Sequence, residues 1–251
     1  VSDTEYHSYL LIDDLLRLQR PLTAGARDEL LFIVVHQVYE LWFRIVVDEL
    51  VHARDALLGG AAHTTIKPLR RVLAVEGLLY DQLGVLETMG PEDFLAFRDP
   101  LAPASGFQSA QFRAIERLSG GSAGAAGSPP GAGGDPGGPS LWEAFCGCGR
   151  ALGLDLPDGA GEPERERRLA ALAALYRDHD GSAERSVLHA VAELLCDHDE
   201  AVGTWRFRHA LMAARTIGAR PGTGGSAGVE YLRSTVDRRF YPELWEVRTR
   251  L

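Results

Sequence analysis

Three cysteines in 251 residues are too few for a disulfide framework. Cys146 and Cys148 are separated by one residue and Cys196 stands far off, so the wider knuckle and second ligand pair of a structural zinc site are missing too. Basic side chains are outnumbered, 26 against 35 acidic, for a formal charge of −9. That balance argues against a nucleic-acid backbone as partner. No run reaches the roughly 18 consecutive apolar residues of a membrane span. The opening VSDTEYHSYL lacks the basic-then-apolar shape of a secretion signal. HExxH, the dinucleotide GxGxxG fingerprint and a glycine loop closing on lysine are all missing. These absences point to a soluble cytoplasmic protein with neither nucleic acid nor membrane as partner.

What is present is helical patterning. Residues 27–58 run without Pro or Gly, densely apolar and aromatic, and predict a long helix buried on much of its circumference. A second helix is predicted from about Pro68, a residue suited to an early helical position, to Thr88, before the stop signal Gly90-Pro91. Short helices are expected around EDFLAFRD and FQSAQFRAIERL, then at 141–153 and 162–179. A long helix follows at 183–217, with Gly203 a candidate break. Leu11, Leu15 and Leu18 recur at helical spacing ahead of Pro21. The fold class is therefore all-α, and the chain reads as one helical domain, 1–251. Residues 119–140 are poor in large apolar groups and rich in Gly and Pro, so they read as a flexible surface excursion.

Four clusters carry candidate chemistry. Phe32, His36, Tyr39, Glu40 and Phe43 recur at three- and four-residue steps and share one helical side. His36 is then either a hydrogen-bonded core histidine or a ligand or acid–base group. Trp205, His209 and Met212 follow i, i+4, i+7. This is more often the pattern of plain core, though a flat apolar wall with an axial imidazole for haem has the same spacing. GARPGTGGSAG at 218–228 is a loop in which Thr223 and Ser226 can donate hydrogen bonds and glycine allows close approach. A mobile solvent loop is its plainer reading. Arg98, beside Phe97 and one turn after Phe94, can fork onto a carboxylate or simply pair with a surface acid, and Arg113 reads the same way.

Taken in order, YHSYLLIDDLLRLQ (6–19), DELLFIVVHQVYELWFRIVVDEL (28–50), DFLAFRDPLAPASGFQSAQFRAIE (93–116) and the stretch from LLCDHDEAVGTWRFRHALM to RRFYPELW (194–245) resemble the tryptophan 2,3-dioxygenase family. The match is poorest in the Gly/Pro excursion and at 141–180. The resemblance implies an all-helical bundle that binds haem b, ferrous in the active state, uses O2 as co-substrate and assembles as a homotetramer. It implies cleavage of the indole C2–C3 bond of L-tryptophan to N-formyl-L-kynurenine. A scaffold relative oxygenating tryptophan or a β-methyl derivative to an oxindole is the alternative, and a non-catalytic haem protein is a further one. By resemblance, His209 is the proximal iron ligand, Trp205 lines that side and Ser105 sits near the haem edge. His36 is the distal, catalytic histidine facing the indole N–H, beside Phe32. Arg98 binds the substrate carboxylate with Phe94 packed nearby, Thr223 contacts the head group, and Gly222 shapes the loop. Tyr6 and Tyr9 would complete a neighbouring subunit's site. GTGGSAG departs from the family's GTGGSSG at Ala227, which removes a hydroxyl.

Overall fold

The computed structural model describes residues 5–120, 137–178 and 182–251. Among these residues there is no strand. The helices are α1 (Tyr6–Leu10), α2 (Ile12–Leu15), α3 (Asp28–Leu58), α4 (Ala62–Leu86), α5 (Pro91–Leu101), α6 (Ala110–Ser119), α7 (Leu141–Ala151), α8 (Glu162–Arg177), α9 (Ala183–Ile217), α10 (Val229–Arg233) and α11 (Pro242–Glu246). Short 3-10 turns at Gly106–Gln108 and Val247–Arg250 complete the order.

The all-α expectation holds, and α3 matches its predicted span almost residue for residue. α3, α4 and α9 form the central layer. α3 and α4 are antiparallel, joined at Gly59–Ala61, where Gly60 takes φ 73°, a conformation open to glycine without steric cost. Their register is fixed by polar bonds as well as by leucines. Tyr39 Oη donates to the Leu79 carbonyl (2.6 Å) and Gln82 Nε2 to the Val35 carbonyl (2.8 Å). Leu50, Leu57, Leu69, Leu83, Leu188 and Leu195 are fully buried between these layers, each contributing about 1.5–3 kcal/mol relative to exposure. α6 and α7 start where sequence supplies caps: Ser109 Oγ accepts from Phe112 N, and Ser140 with Glu143 closes a capping box.

The structure corrects several boundaries. α4 begins at Ala62, so Pro68 lies inside it rather than at its start. Ala62 and Thr65 are buried in that first stretch, and docking them offsets the hydrogen bond that proline cannot donate. α9 runs unbroken through Gly203. A Cβ there would sit 2.6 Å from Arg239 Nη1, so this glycine serves a close approach and not a break. The 1–20 pattern yields two short helices hinged at Leu11 (φ 50°), and Leu18 lies beyond them. α3 does reach the length and apolarity of a membrane span, with mean hydropathy 1.7 in its most apolar stretch, although it carries Glu40, Arg44, Asp48 and Glu49 among its residues. The three cysteines are free and buried. Of the 119–140 excursion, residues 121–136 lie outside the described residues.

Candidate active site

A cavity of about 320 Å³ opens between α3, α5, α6, the second half of α9 and the 218–228 loop. That volume lies in the range of small-molecule sites. Nine of the eleven residues given a role by resemblance line it together: Phe32, His36, Phe94, Arg98, Ser105, Trp205, His209, Gly222 and Thr223. Tyr6 and Tyr9 do not; they are 70% and 74% exposed in the single chain.

The α3 wall presents His36. Its Nδ1 lies 2.7 Å from the Phe32 carbonyl. A carbonyl can only accept, so Nδ1 carries the proton and Nε2 keeps a lone pair. Burial lowers the pKa of His36, outweighing the carbonyl bond and the charge of Glu40, so the imidazole is neutral at pH 7. Phe32 lies against it with ring centroids 4.0 Å apart, and Phe94 and Phe97 pack edge-on or tilted behind Phe32 at 5.8 and 5.5 Å.

The α9 wall presents a flat pair. The Trp205 and His209 rings are parallel within 6°, centroids 5.4 Å apart. Trp205 Nε1 donates to Tyr39 Oη (3.3 Å), which is itself tied to α4. The His209 pKa falls to about 4, chiefly through burial and further through His36. Both imidazoles are therefore uncharged and close enough to sense one another. Among the described residues nothing hydrogen-bonds to His209; its remaining open surface faces the cavity.

The mouth is built differently. Arg98 Nη2 donates to the Pro221 carbonyl (2.6 Å), while its Nε is buried without a partner among the described residues. Thr223 Oγ1 donates to the Ala104 carbonyl (2.8 Å). Gly222 N donates to the Ser226 carbonyl (3.1 Å), folding the loop on itself. A Cβ at Gly228 (φ 61°) would meet the Arg220 carbonyl at 2.5 Å, and one at Gly224 the Ser105 Cβ at 2.6 Å. The turn thus requires glycine at 224 and 228, while Gly218, Ala219, Arg220, Pro221, Gly225 and Ala227 stay exposed to solvent.

Sequence reasoning assigned no role to Glu116 and Arg206. Arg206 lies between Trp205 and His209 but is buried, bonded to Glu116 Oε1 of α6 at 3.0 Å and to the Arg238 carbonyl at 3.0 Å. Arg113 pairs with the other oxygen of Glu116, so it belongs to the cavity wall and is no surface arginine. Two guanidiniums, Arg113 and Arg206, thus share the Glu116 carboxylate at this edge of the cavity. Glu40, grouped with His36 but given no role, accepts from Gln111 Nε2 at 2.9 Å.

These features were tested against a haem. Among the described residues no three His, Cys, Asp or Glu side chains cluster to hold a bare metal ion. One neutral, unpartnered imidazole beside a flat ring wall suits instead a macrocycle that brings its own in-plane ligands and asks the protein for an axial one. The residues present fit the group.

Comparison with known proteins agrees. The tryptophan 2,3-dioxygenase family model matches residues 1–125 and 164–251, passing over much of the segment where the resemblance is poorest. The chain is 43% identical over 257 residues to the tryptophan 2,3-dioxygenase of Anaeromyxobacter sp. (strain K), covering 97% of this chain and 94% of that one. It is 43% identical over 272 residues to the enzyme of that name from Nocardioides sp. (98% and 94% covered). It is 34% identical over 261 residues to that from Myxococcus xanthus (99% and 90%). Matched over nearly its whole length, this chain belongs to the tryptophan 2,3-dioxygenase family.

Proposed function

We propose that the chain is a cytoplasmic, haem b-dependent dioxygenase that opens the indole C2–C3 bond of L-tryptophan with O2, giving N-formyl-L-kynurenine. The observation that carries this reading is that two neutral histidines, His209 beside Trp205 on α9 and His36 beside Phe32 on α3, line one cavity in a chain of this family. His209 would hold the ferrous iron, with Trp205 beside it and Ser105 near the haem edge. Bound haem would supply the activation of O2, the part of the chemistry that belongs to the cofactor.

The remaining work is done by this chain's own groups. His36 Nε2 accepts the indole N–H, since Nδ1 is already committed to the Phe32 carbonyl. Phe32 and Phe94 give the indole an apolar wall. Arg98 forks onto the substrate carboxylate, and its unpartnered Nε is a donor waiting for an acceptor. Thr223 contacts the amino-acid head group, and Gly222 lets the loop come close. Held at both ends, the substrate presents C2 and C3 in one orientation, and positioning of this kind is how the protein accelerates the reaction. Closure of the 218–228 loop over the substrate would exclude water. His36 orients and does not need to remove a proton, because indole N–H is a very weak acid. The whole chain acts as one catalytic domain. The exposed Tyr6 and Tyr9 would complete a neighbour's site in a homotetramer.

Incubation with L-tryptophan under 18O2 tests the reaction. Two labelled atoms in N-formylkynurenine are expected. A single labelled atom in an oxindole would overturn it.

A further inference from the structure

We infer that Glu76 of α4 and His198 of α9 are a positioning pair that sets the rotation of α9 and, with it, the planes of Trp205 and His209. The inference rests on the reading of His209 as axial ligand.

His198 is 1% exposed and Glu76 6%. His198 Nδ1 lies 2.6 Å from Glu76 Oε1, and its Nε2 2.9 Å from Ser119 Oγ. The Ser119 hydroxyl donates its proton to the Ile115 carbonyl (2.8 Å). With Ser119 Oγ accepting from Nε2–H, Nδ1 and Glu76 Oε1 share the remaining proton across 2.6 Å, as an imidazolium against a carboxylate whose own pKa burial raises. Burial opposes that cation most strongly, but Glu76 and Asp199 outweigh it and the pKa of His198 rises. Asp199 is itself committed elsewhere, accepting from Phe240 N, Tyr241 N and Trp245 Nε1.

A buried ion pair is a poor device for stability, since apolar residues of like shape serve as well or better. It is a good device for register, because it is satisfied in only one geometry. His198, Val202, Trp205 and His209 stand at i, i+4, i+7 and i+11. Eleven residues are about three turns, so His198 and His209 point within roughly 20° of each other. Fixing one azimuth fixes the other. A second pin lies just beyond: Arg208 donates to Glu87 Oε2 (3.0 Å) and the Tyr80 carbonyl (3.0 Å). Among the described residues these are the ion pairs joining α9 to α4 and its cap, and Trp205 lies between them. Glu76 Oε2 has no partner among the described residues, and Glu76 and Trp205 line one void of about 20 Å³. Glu76 therefore lies against the wall that the pair orients.

The test compares the parent chain with Glu76→Leu/His198→Leu, in which an apolar pair replaces the ionic one, and with Glu76→Gln, which keeps an acceptor for Nδ1–H. In the haem-free proteins the readout is the Trp205 indole N–H resonance, assigned by its loss in Trp205→Phe. In the haem-loaded proteins it is the ferrous iron–imidazole stretching band. We expect the double variant to keep its helix content while the Trp205 resonance shifts or splits, the iron–imidazole band broadens, and kcat falls three- to tenfold with KM within twofold. Glu76→Gln should restore both spectra. Should the double variant not fold, His198→Gln carries the same expectations. A folded variant with both spectra unchanged would overturn the inference. An iron–imidazole band missing from the parent would instead sink the axial-ligand reading, and the haem-free Trp205 resonance would then decide the pair.

Discussion

The two ends of the cavity are made by opposite means. At the deep end, His36, Trp205 and His209 stand on two long helices, their rings set by helix geometry, by stacking and by buried bonds such as Trp205 to Tyr39. At the mouth, Arg98 and Thr223 are held by single hydrogen bonds to the carbonyls of Pro221 and Ala104. A substrate carboxylate or head group can take over such a donor at little cost, since one bond replaces another. On the proposed function, the helical end would preset the cofactor chemistry, and the loop end would exchange partners when an amino acid arrives.

If that contrast is real, damage at the deep end should cost more. His209→Ala should abolish stable haem retention and lower turnover on the order of 100-fold or more, the loss of the axial ligand being irreplaceable. Haem titration by absorbance and steady-state assay read this directly; full retention of haem would break the comparison. The same histidine predicts a pH effect in the haem-free chain. Its pKa is about 4 against 6.5 for an ordinary histidine, so the unfolded chain binds the extra proton first. Stability is then full above pH 6.5 and falls as pH drops toward 4, by up to about 1.4 kcal/mol per pH unit and about 3 kcal/mol in all. His36, also lowered, adds in the same direction. Urea midpoints across this range should flatten in His209→Leu.

Smaller effects belong to the mouth. Arg98→Ala removes charged hydrogen bonds worth about 1.5–3 kcal/mol, a rise in KM of about 10- to 100-fold. Haem affinity should stay unchanged, and an indole amine without a carboxylate should bind the variant as well as the parent. Thr223→Val loses one neutral hydrogen bond, about 0.5–1.5 kcal/mol, so a rise in KM of a few-fold is expected. If Thr223→Val cost more than His209→Ala, the loop and not the helices would be the preset element.

Much of this was legible from sequence because it is local. Uninterrupted residues 28–58 announced α3, and helical spacing put Phe32 and His36 on one side and Trp205 and His209 on another. What spacing could not give is which residues meet across the fold. Arg206 and Glu116 are 90 residues apart, Glu76 and His198 are 122 apart, and no local pattern couples them. Pro68 misled because proline is usually a start signal, while here buried Ala62 and Thr65 extend α4 ahead of it. Gly203 misled because a glycine kept for the approach of Arg239 looks in sequence like a helix break. That His36 and His209 belong to one site came from resemblance; spacing alone made each a core residue more readily than a ligand.

The most direct measurement is a crystal structure of the haem-loaded chain with L-tryptophan bound. The account expects an imidazole nitrogen of His209 on the iron, the indole N–H on His36 Nε2 and the carboxylate in the fork of Arg98. Iron held by any other side chain, or an indole lying away from His36, would contradict it.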